Sequence, residues 1–420
     1  IRGWRKWSFA RKDLNIYMNK KFIYFPSFSA GPFGAGCGNN VKLKNDVTCR
    51  FYSKEFPEEY YYPYFLWPAA HFYKRKDLKE KWGFEPGIEL FGDSGGYQVA
   101  SGAIKWTPDL KGEILDWLEE SSTIAMNLDI PPRIQYQGKF DECLEISKEN
   151  IKYFYEKRKG KTKFLNVVQG NDLLSYRKWY QQVKDFQFEG WSIGGASGSI
   201  FRFASALAVL LEGKEHFKLN NDFLHILGTS KIIDFFILAQ LQKSLQEVGS
   251  EITITTDSSS PNRATVYGSI YYGYDLKSGN FKSFHVPKER SDKDRNKSKH
   301  TEQKLITEGI SLPIVNNFHK WLKDGYEFSD IKEWNNLGYI SAVLHNFYLF
   351  RSAIDEINYY VNGEPYLLEQ VITNETFVIL RSIDEMVKSD NPVSVFYKYI
   401  ETYRKADAAD VKIIESNDYF

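Results

Sequence analysis

Six short apolar runs recur along the chain: IELF (88–91), TIAMNL (123–128), FLNVV (164–168), WSIGG (191–195), FLHILG (223–228) and ITITT (252–256). Each is rich in β-branched or aromatic residues and has strand length. Between them lie LKGEILDWLEES, FDECLEISKENIKYFYEKRK, DLLSYRKWYQQVKDF, FRFASALAVLLEG and IIDFFILAQLQKSLQEV, all with apolar residues at helical spacing. Strict alternation of strand and helix implies parallel strands joined by right-handed crossovers. Six such units within about 170 residues predict an α/β fold closed into an irregular TIM (β/α)8 barrel rather than an open sheet. The expected organisation is an N-terminal segment over 1–55, a barrel domain over 56–360 with a basic insertion near 285–300, and additional C-terminal helices over 361–420.

Polar residues close these runs. Asp93 follows IELF, Asp129 follows TIAMNL, Gln169 follows FLNVV, Gly194 and Gly195 end WSIGG, Gly228 ends FLHILG, and Asp257 follows ITITT. In a parallel barrel the C-terminal strand ends converge on one face, where active sites are built. The densest of these ends is LFGDSGGYQ (90–98), in which two adjacent glycines follow a carboxylate and a hydroxyl. Taken alone, it reads equally as a Gly-Gly turn with a polar cap or as a place where a ligand approaches the main chain. Two carboxylates on one face can divide a displacement at an anomeric carbon, one attacking and one moving the proton. A third carboxylate, an amide and a Gly-Gly backbone suit the edge of a planar heterocycle, with Tyr97 placed to stack on its face. A retaining glycosidase also uses two carboxylates, but it has no need of the edge-reading set in VVQG (167–170) and GWSIGG (190–195).

Other chemistries find little support. The longest apolar runs, such as IIDFFILAQL (232–241), are too short to span a bilayer, and no basic-then-apolar leader opens the sequence. Three scattered cysteines form neither a disulfide framework nor a Cys-rich zinc site. A soluble, cytoplasmic protein without membrane partners or cofactors is expected. GPFGAG (31–36) loosely resembles a phosphate loop without its strand–turn–helix context, and it reads as a flexible loop. His71, His216, His225, His285 and His300 have no partner at metal-ligand spacing. The net charge of +1 conceals basic clusters at 2–12, 157–163 and 288–299. Singly these read as solvated loops; together they can mark a face that tracks phosphates. Aromatic residues make up 16% of the chain, which serves a Phe-rich core first and base stacking second.

DSGGYQ (93–98), VVQG (167–170), GWSIGG (190–195), HILGTSK (225–231) and DSSSPNR (257–263) resemble, in the same order, the motifs of the tRNA-guanine transglycosylase superfamily. LHNFYLF (344–350) is similar to that family's later His-Asn helix, so the likeness spans roughly 60–360. Members are irregular TIM barrels that exchange guanine in a polynucleotide for a 7-deazaguanine through a covalent enzyme–nucleic acid intermediate. The resemblance implies Asp257 as nucleophile and Asp93 as general acid/base. It assigns Asp129, Gln169, Gly194 and Gly195 to the purine edge, Tyr97 and Leu227 to the two faces of the ring, Ser94 to the pocket floor and Arg263 to the polynucleotide backbone. Leu227 stands where many members carry Met.

The departures narrow the expectation. The family's structural zinc is held by C-x-C-x-x-C and a later His. Here SLPIVNNFHKWL (311–322) contains no cysteine, and His319 with His345 cannot complete a tetrahedral site, so no metal is expected. A zinc-poor chain of this length is most similar to the DpdA-type DNA-guanine transglycosylases, which insert 7-cyano-7-deazaguanine into DNA. The expected partners are therefore DNA, guanine and that base, together with accessory proteins where a duplex must be opened. Action on tRNA, or a non-catalytic nucleic-acid-binding subunit, are the alternatives. In family members that accept the cationic aminomethyl base the segment after Gly-Gly carries an acid; here Ala196-Ser197-Gly198-Ser199-Ile200 carries none, so the resemblance implies a neutral nitrile at the base's 7-position in preference to the amine.

Overall fold

The computed structural model describes residues 20–29, 31–43, 46–58, 60–285 and 336–417. Eight parallel strands, β1 (Ile23–Pro26), β2 (Tyr64–Pro68), β3 (Glu89–Asp93), β4 (Ile124–Met126), β5 (Lys163–Val168), β6 (Gly190–Ile193), β7 (Phe223–Ile226) and β8 (Thr253–Ser258), pair in the order 1-8-7-6-5-4-3-2. This is the irregular TIM barrel expected from the alternation. The six predicted strands are β3 to β8. The other two come from KFIYFP and YFLWP, and β1 is supplied by the N-terminal segment, pairing Ile23 with Thr255.

The barrel is nearly closed. β1 and β2 lie side by side but share no ladder. Side chains close the seam: the Tyr62 hydroxyl donates to the Tyr24 carbonyl at 2.8 Å, and the Phe25 and Tyr64 rings meet edge to face at 5.5 Å.

The long helices between strands are α5 (Leu110–Ser121), α6 (Phe140–Lys157), α7 (Leu173–Val183), α8 (Ile200–Glu212) and α9 (Ile232–Glu247), and they match the predicted segments within a few residues. Shorter ones are α1 (Gly31–Gly38), α2 (Ala69–Phe72), α3 (Leu78–Trp82) and α4 (Gly96–Ala100). GPFGAG is thus the first two turns of α1, not a flexible loop. A side chain at Gly36 would collide with Ile340, so the glycine lets α1 pack closely rather than bend.

After β8 come α10 (Ser260–Val266) and an antiparallel hairpin, β9 (Ser269–Asp275) and β10 (Asn280–His285). Helix α11 (Asn336–Asn362) packs against α1, α9, α10 and β9 and backs the seam, its Arg351 guanidinium lying 4.8 Å from the Tyr62 ring. The C-terminal helices are α12 (Pro365–Val371), α13 (Asn374–Lys388) and α14 (Pro392–Asn417). α13 and α14 cover α8 and α9 from outside. No helix among the described residues is long and apolar enough to cross a membrane.

Two apolar layers hold this together. A plug of Phe25, Leu66, Phe91, Ile124, Met126, Leu165 and Val167 fills the barrel interior, while a larger layer lies between strands and helices. The largest fully buried side chains are Trp, Tyr and Phe, including Trp67, Trp179, Tyr52, Phe33 and Phe65. The core therefore absorbs most of the aromatic surplus, through pairs such as Phe33–Phe51 and Phe51–Phe65 that each add about 0.5–1.5 kcal/mol beyond burial.

Candidate active site

The two glycines of LFGDSGGYQ have separate reasons. Asp93 is the last residue of β3, and its Oδ1 accepts a 2.9 Å hydrogen bond from the Gly95 amide, which requires Gly95 to turn back with φ +87°. At Gly96 the constraint is space: an added Cβ would sit 1.9 Å from the Asp129 carbonyl oxygen. The pair folds α4 back onto the end of β4 and brings Asp93 beside Asp129. Ser94 is buried, and its hydroxyl donates to the Asn127 carbonyl at 2.9 Å, tying the same turn to β4.

The barrel gathers the other strand ends around this turn. Gln169 Nε2 donates to Asp129 Oδ2 at 2.7 Å, and both side chains are buried. Gly194 anchors the end of β6: its amide donates to the Val168 carbonyl, and its carbonyl accepts from the Tyr176 hydroxyl at 2.7 Å. The Gly195 carbonyl accepts from Arg133 Nη2 at 2.9 Å. Leu227 is half-buried against the apolar plug, and its amide bonds the Ile193 carbonyl. Asp257, on β8, accepts a 2.8 Å hydrogen bond at Oδ1 from the Gly228 amide. Tyr97, on α4, is 54% exposed, which leaves its ring available to a ligand. Arg263 is exposed on α10, one short helix beyond Asp257.

The carboxylates share one electrostatic field. Asp93 keeps partial contact with solvent, but the protein around it desolvates the charged form and pushes its carboxyl up to about 6; the Gly95 amide opposes this and the Asp257 charge adds to it. Burial pushes Asp129 up to about 7, against the Gln169 hydrogen bond and with help from Asp93. The site thus holds an acid poised near neutrality beside a carboxylate fixed by a backbone amide. Perturbed groups of this kind concentrate where proton transfer occurs.

A stability consequence follows for Asp129. Its folded-state value lies above the ordinary carboxylate value, so the folded chain binds that proton more tightly. The stability contributed by Asp129 is therefore fully present at low pH and is lost as pH rises from the ordinary carboxylate value through about 7. Asp129→Asn keeps an oxygen to accept from Gln169 and removes the buried charge. The melting temperature of D129N should gain on that of the wild type by several degrees between pH 5 and pH 8. Parallel curves across that range would show that Asp129 is not raised.

Several participants carried no sequence signal. His225, set aside above for want of a partner, is fully buried with Nε2 3.3 Å from Asp257 Oδ1 and Nδ1 2.9 Å from Thr255 Oγ1. Both partners lie on the neighbouring strand, so only strand register finds them. Arg133 follows two prolines in the β4–α6 loop and reaches Gly195 across 62 residues. Asp407, on α14, accepts from the Ser199 hydroxyl at 2.6 Å and the Ile200 amide at 2.7 Å. The 196–200 segment has no acid of its own, but the fold lends it one from the C-terminal helices.

The basic stretches divide differently from the expectation. KRKGKTK (157–163) joins the end of α6 to the start of β5, at the opposite rim from Asp93 and Asp257. Its Arg158 pairs with Glu189 at 2.8 Å, Lys159 with Asp116 at 2.7 Å and Lys163 with Asp222 at 2.6 Å. It cannot form a phosphate-tracking face with the strand-end residues. The clusters at 2–12 and 288–299, and His319, lie outside the described residues. His345 is buried, and its Nε2 donates to the Tyr271 carbonyl at 2.7 Å; beside it Asn346 bonds Ser269, Thr265 and the Tyr271 amide. The His-Asn pair thus stitches α11 to the β9 strand. Among the described residues no group of three His, Cys, Asp or Glu side chains could hold a metal ion.

Compared with models of known protein families and with curated proteins, the chain matches none.

Proposed function

We propose that the chain is a pentosyltransferase that exchanges guanine in DNA for 7-cyano-7-deazaguanine by double displacement through a covalent aspartyl–nucleic acid intermediate. Asp257 attacks the anomeric carbon, and Asp93 protonates the departing guanine and later takes the proton of the incoming base. Asp129, Gln169 and the Gly194-Gly195 backbone read the purine edge. Tyr97 and Leu227 flank the ring, Ser94 braces the floor, and Arg263 contacts the polynucleotide backbone. In duplex DNA the target nucleotide is flipped out of the stack, with accessory proteins where the duplex must be opened.

The observation that carries this reading is the pairing of Asp93 and Asp257 on one rim, with Asp93 pushed up to about 6 partly by the Asp257 charge. A shared acid/base and a held nucleophile are what glycosyl transfer with retained configuration needs. The buried Asp129–Gln169 pair adds a donor–acceptor edge that simple sugar hydrolysis does not require. DNA is favoured as substrate because the chain shares the zinc-poor departure of the DNA-modifying members it resembles.

The test incubates the protein separately with duplex DNA, single-stranded DNA and tRNA in the presence of labelled guanine. Label should enter DNA. Label in tRNA alone moves the substrate to RNA, and label in no polymer ends the reading.

The incoming base is tested by competition. Both Asp407 oxygens are engaged at the start of α8, so that carboxylate is committed to the helix and not to a ligand. The nitrile should outcompete the aminomethyl base in the wild type and in Asp407→Asn, while Ile200→Glu should narrow the gap. Preference for the amine by the wild type, lost in D407N, would instead make Asp407 the missing counter-charge.

A further inference from the structure

The β7–β8 register sets His225 opposite Thr255, and strand alternation puts Thr255 and Asp257 on the same face. The imidazole is fully buried, and its ring stacks on Phe91 at 4.2 Å and 25°, so it is locked in plane by an aromatic face from across the barrel. Nδ1 lies 2.9 Å from Thr255 Oγ1 and Nε2 lies 3.3 Å from Asp257 Oδ1. A neutral ring protonated at Nδ1 would turn the Nε2 lone pair toward the carboxylate. Protonation at Nε2 instead lets the Thr255 hydroxyl donate to Nδ1 and the ring donate to Asp257, so each partner is satisfied.

We infer that His225 is a positioning residue for Asp257: as the Nε2–H tautomer it holds Oδ1, presents Oδ2 for attack, and stabilises the carboxylate when it leaves. This rests on the glycosyl-transfer reading. Oδ1 faces two donors, the Gly228 amide at 2.8 Å and His225 Nε2, whereas Oδ2 makes no hydrogen bond among the described residues. In the first displacement an Oδ2 lone pair forms the bond to the anomeric carbon. The carbon–nitrogen bond breaks toward guanine, which takes a proton from Asp93, and Oδ1 becomes the carbonyl oxygen of a glycosyl ester. In the second, the incoming base displaces Oδ2, its proton passes to Asp93, and the bonding pair returns to the carboxylate. Negative charge then returns to Oδ1 as well as Oδ2, and Oδ1 is where the two N–H donors already point.

The two steps should therefore respond unequally. A donor to Oδ1 stabilises the free carboxylate and the transition state in which it re-forms, but contributes little to its attack. His225→Phe should leave adduct formation near the wild-type rate and slow adduct breakdown by about tenfold or more, the factor a hydrogen bond to a charged group supplies. Covalent adduct should accumulate. His225→Gln restores an N–H donor and should recover most of the breakdown rate.

Single-turnover kinetics with a target oligonucleotide, resolved under denaturing conditions, read both steps. Nitrogen NMR of histidine-labelled wild-type protein reads the tautomer without any variant and should show Nε2 protonated and Nδ1 bare. Equal slowing of both steps in H225F, no recovery in H225Q, or a ring protonated at Nδ1 or at both nitrogens overturns the inference. Should H225F fail to fold, H225Q and the tautomer still decide. Wild-type adduct with unaltered H225F kinetics sinks this role alone, whereas no wild-type adduct on any polymer sinks the transfer reading and this role together.

Discussion

Replacing Asp257 by Asn is expected to abolish base exchange, by roughly three orders of magnitude or more, with the fold retained. The amide matches the carboxylate in shape, and its oxygen still accepts from the Gly228 amide, so the end of β8 keeps its anchor. What disappears is the anionic oxygen that forms the glycosyl ester in the proposed reaction. The variant should melt near the wild-type temperature, bind the oligonucleotide, and give no band of slowed mobility on a denaturing gel. Near-normal turnover by D257N would assign the attack to another group. The contrast with His225→Phe is informative, because loss of the nucleophile removes adduct while loss of its support accumulates it.

Asp93→Asn should slow base release and base incorporation together, by about 10²–10⁴-fold, because in the proposed reaction one group serves both directions. Its Oδ1 can still accept from the Gly95 amide, so the Gly-Gly turn survives the change. The wild type carries a pH signature. In the proposed reaction base release needs protonated Asp93, so single-turnover adduct formation should be fastest below about 6 and fall about tenfold per pH unit above it. Incorporation needs the ionised form and should rise through the same range. D93N should be slow and flat in both. Adduct formation by D93N at the wild-type rate would mean that another group protonates guanine.

Strands β3 to β8 were legible because each is a short apolar run bounded by turn residues and followed by a helix-period segment. β1 and β2 were not. IYFP and YFLWP sit among other aromatic and polar residues, and they become strands only through partners elsewhere, as when Ile23 pairs with Thr255. Tertiary context overrides weak local preference for such short runs. GPFGAG shows the same limit in reverse: its glycines suggest a loop until the close approach of Ile340 and the Ser29 backbone explains them as a packed helix.

The sequence by itself determined the barrel and the rim on which Asp93, Asp129, Gln169 and Asp257 would meet. Those follow from local periodicity and strand direction, which neighbouring residues encode. Only the tertiary structure decided what each of these groups touches. His225 lies 32 residues from Asp257 and Asp407 lies 208 from Ser199, yet both make direct contacts, while KRKGKTK is carried to the far rim, where Arg158, Lys159 and Lys163 are held in ion pairs. Register across a barrel and the docking of distant helices set these neighbours. The proton affinity of Asp93 depends on them in turn, because desolvation and Coulomb interactions act through space rather than along the chain.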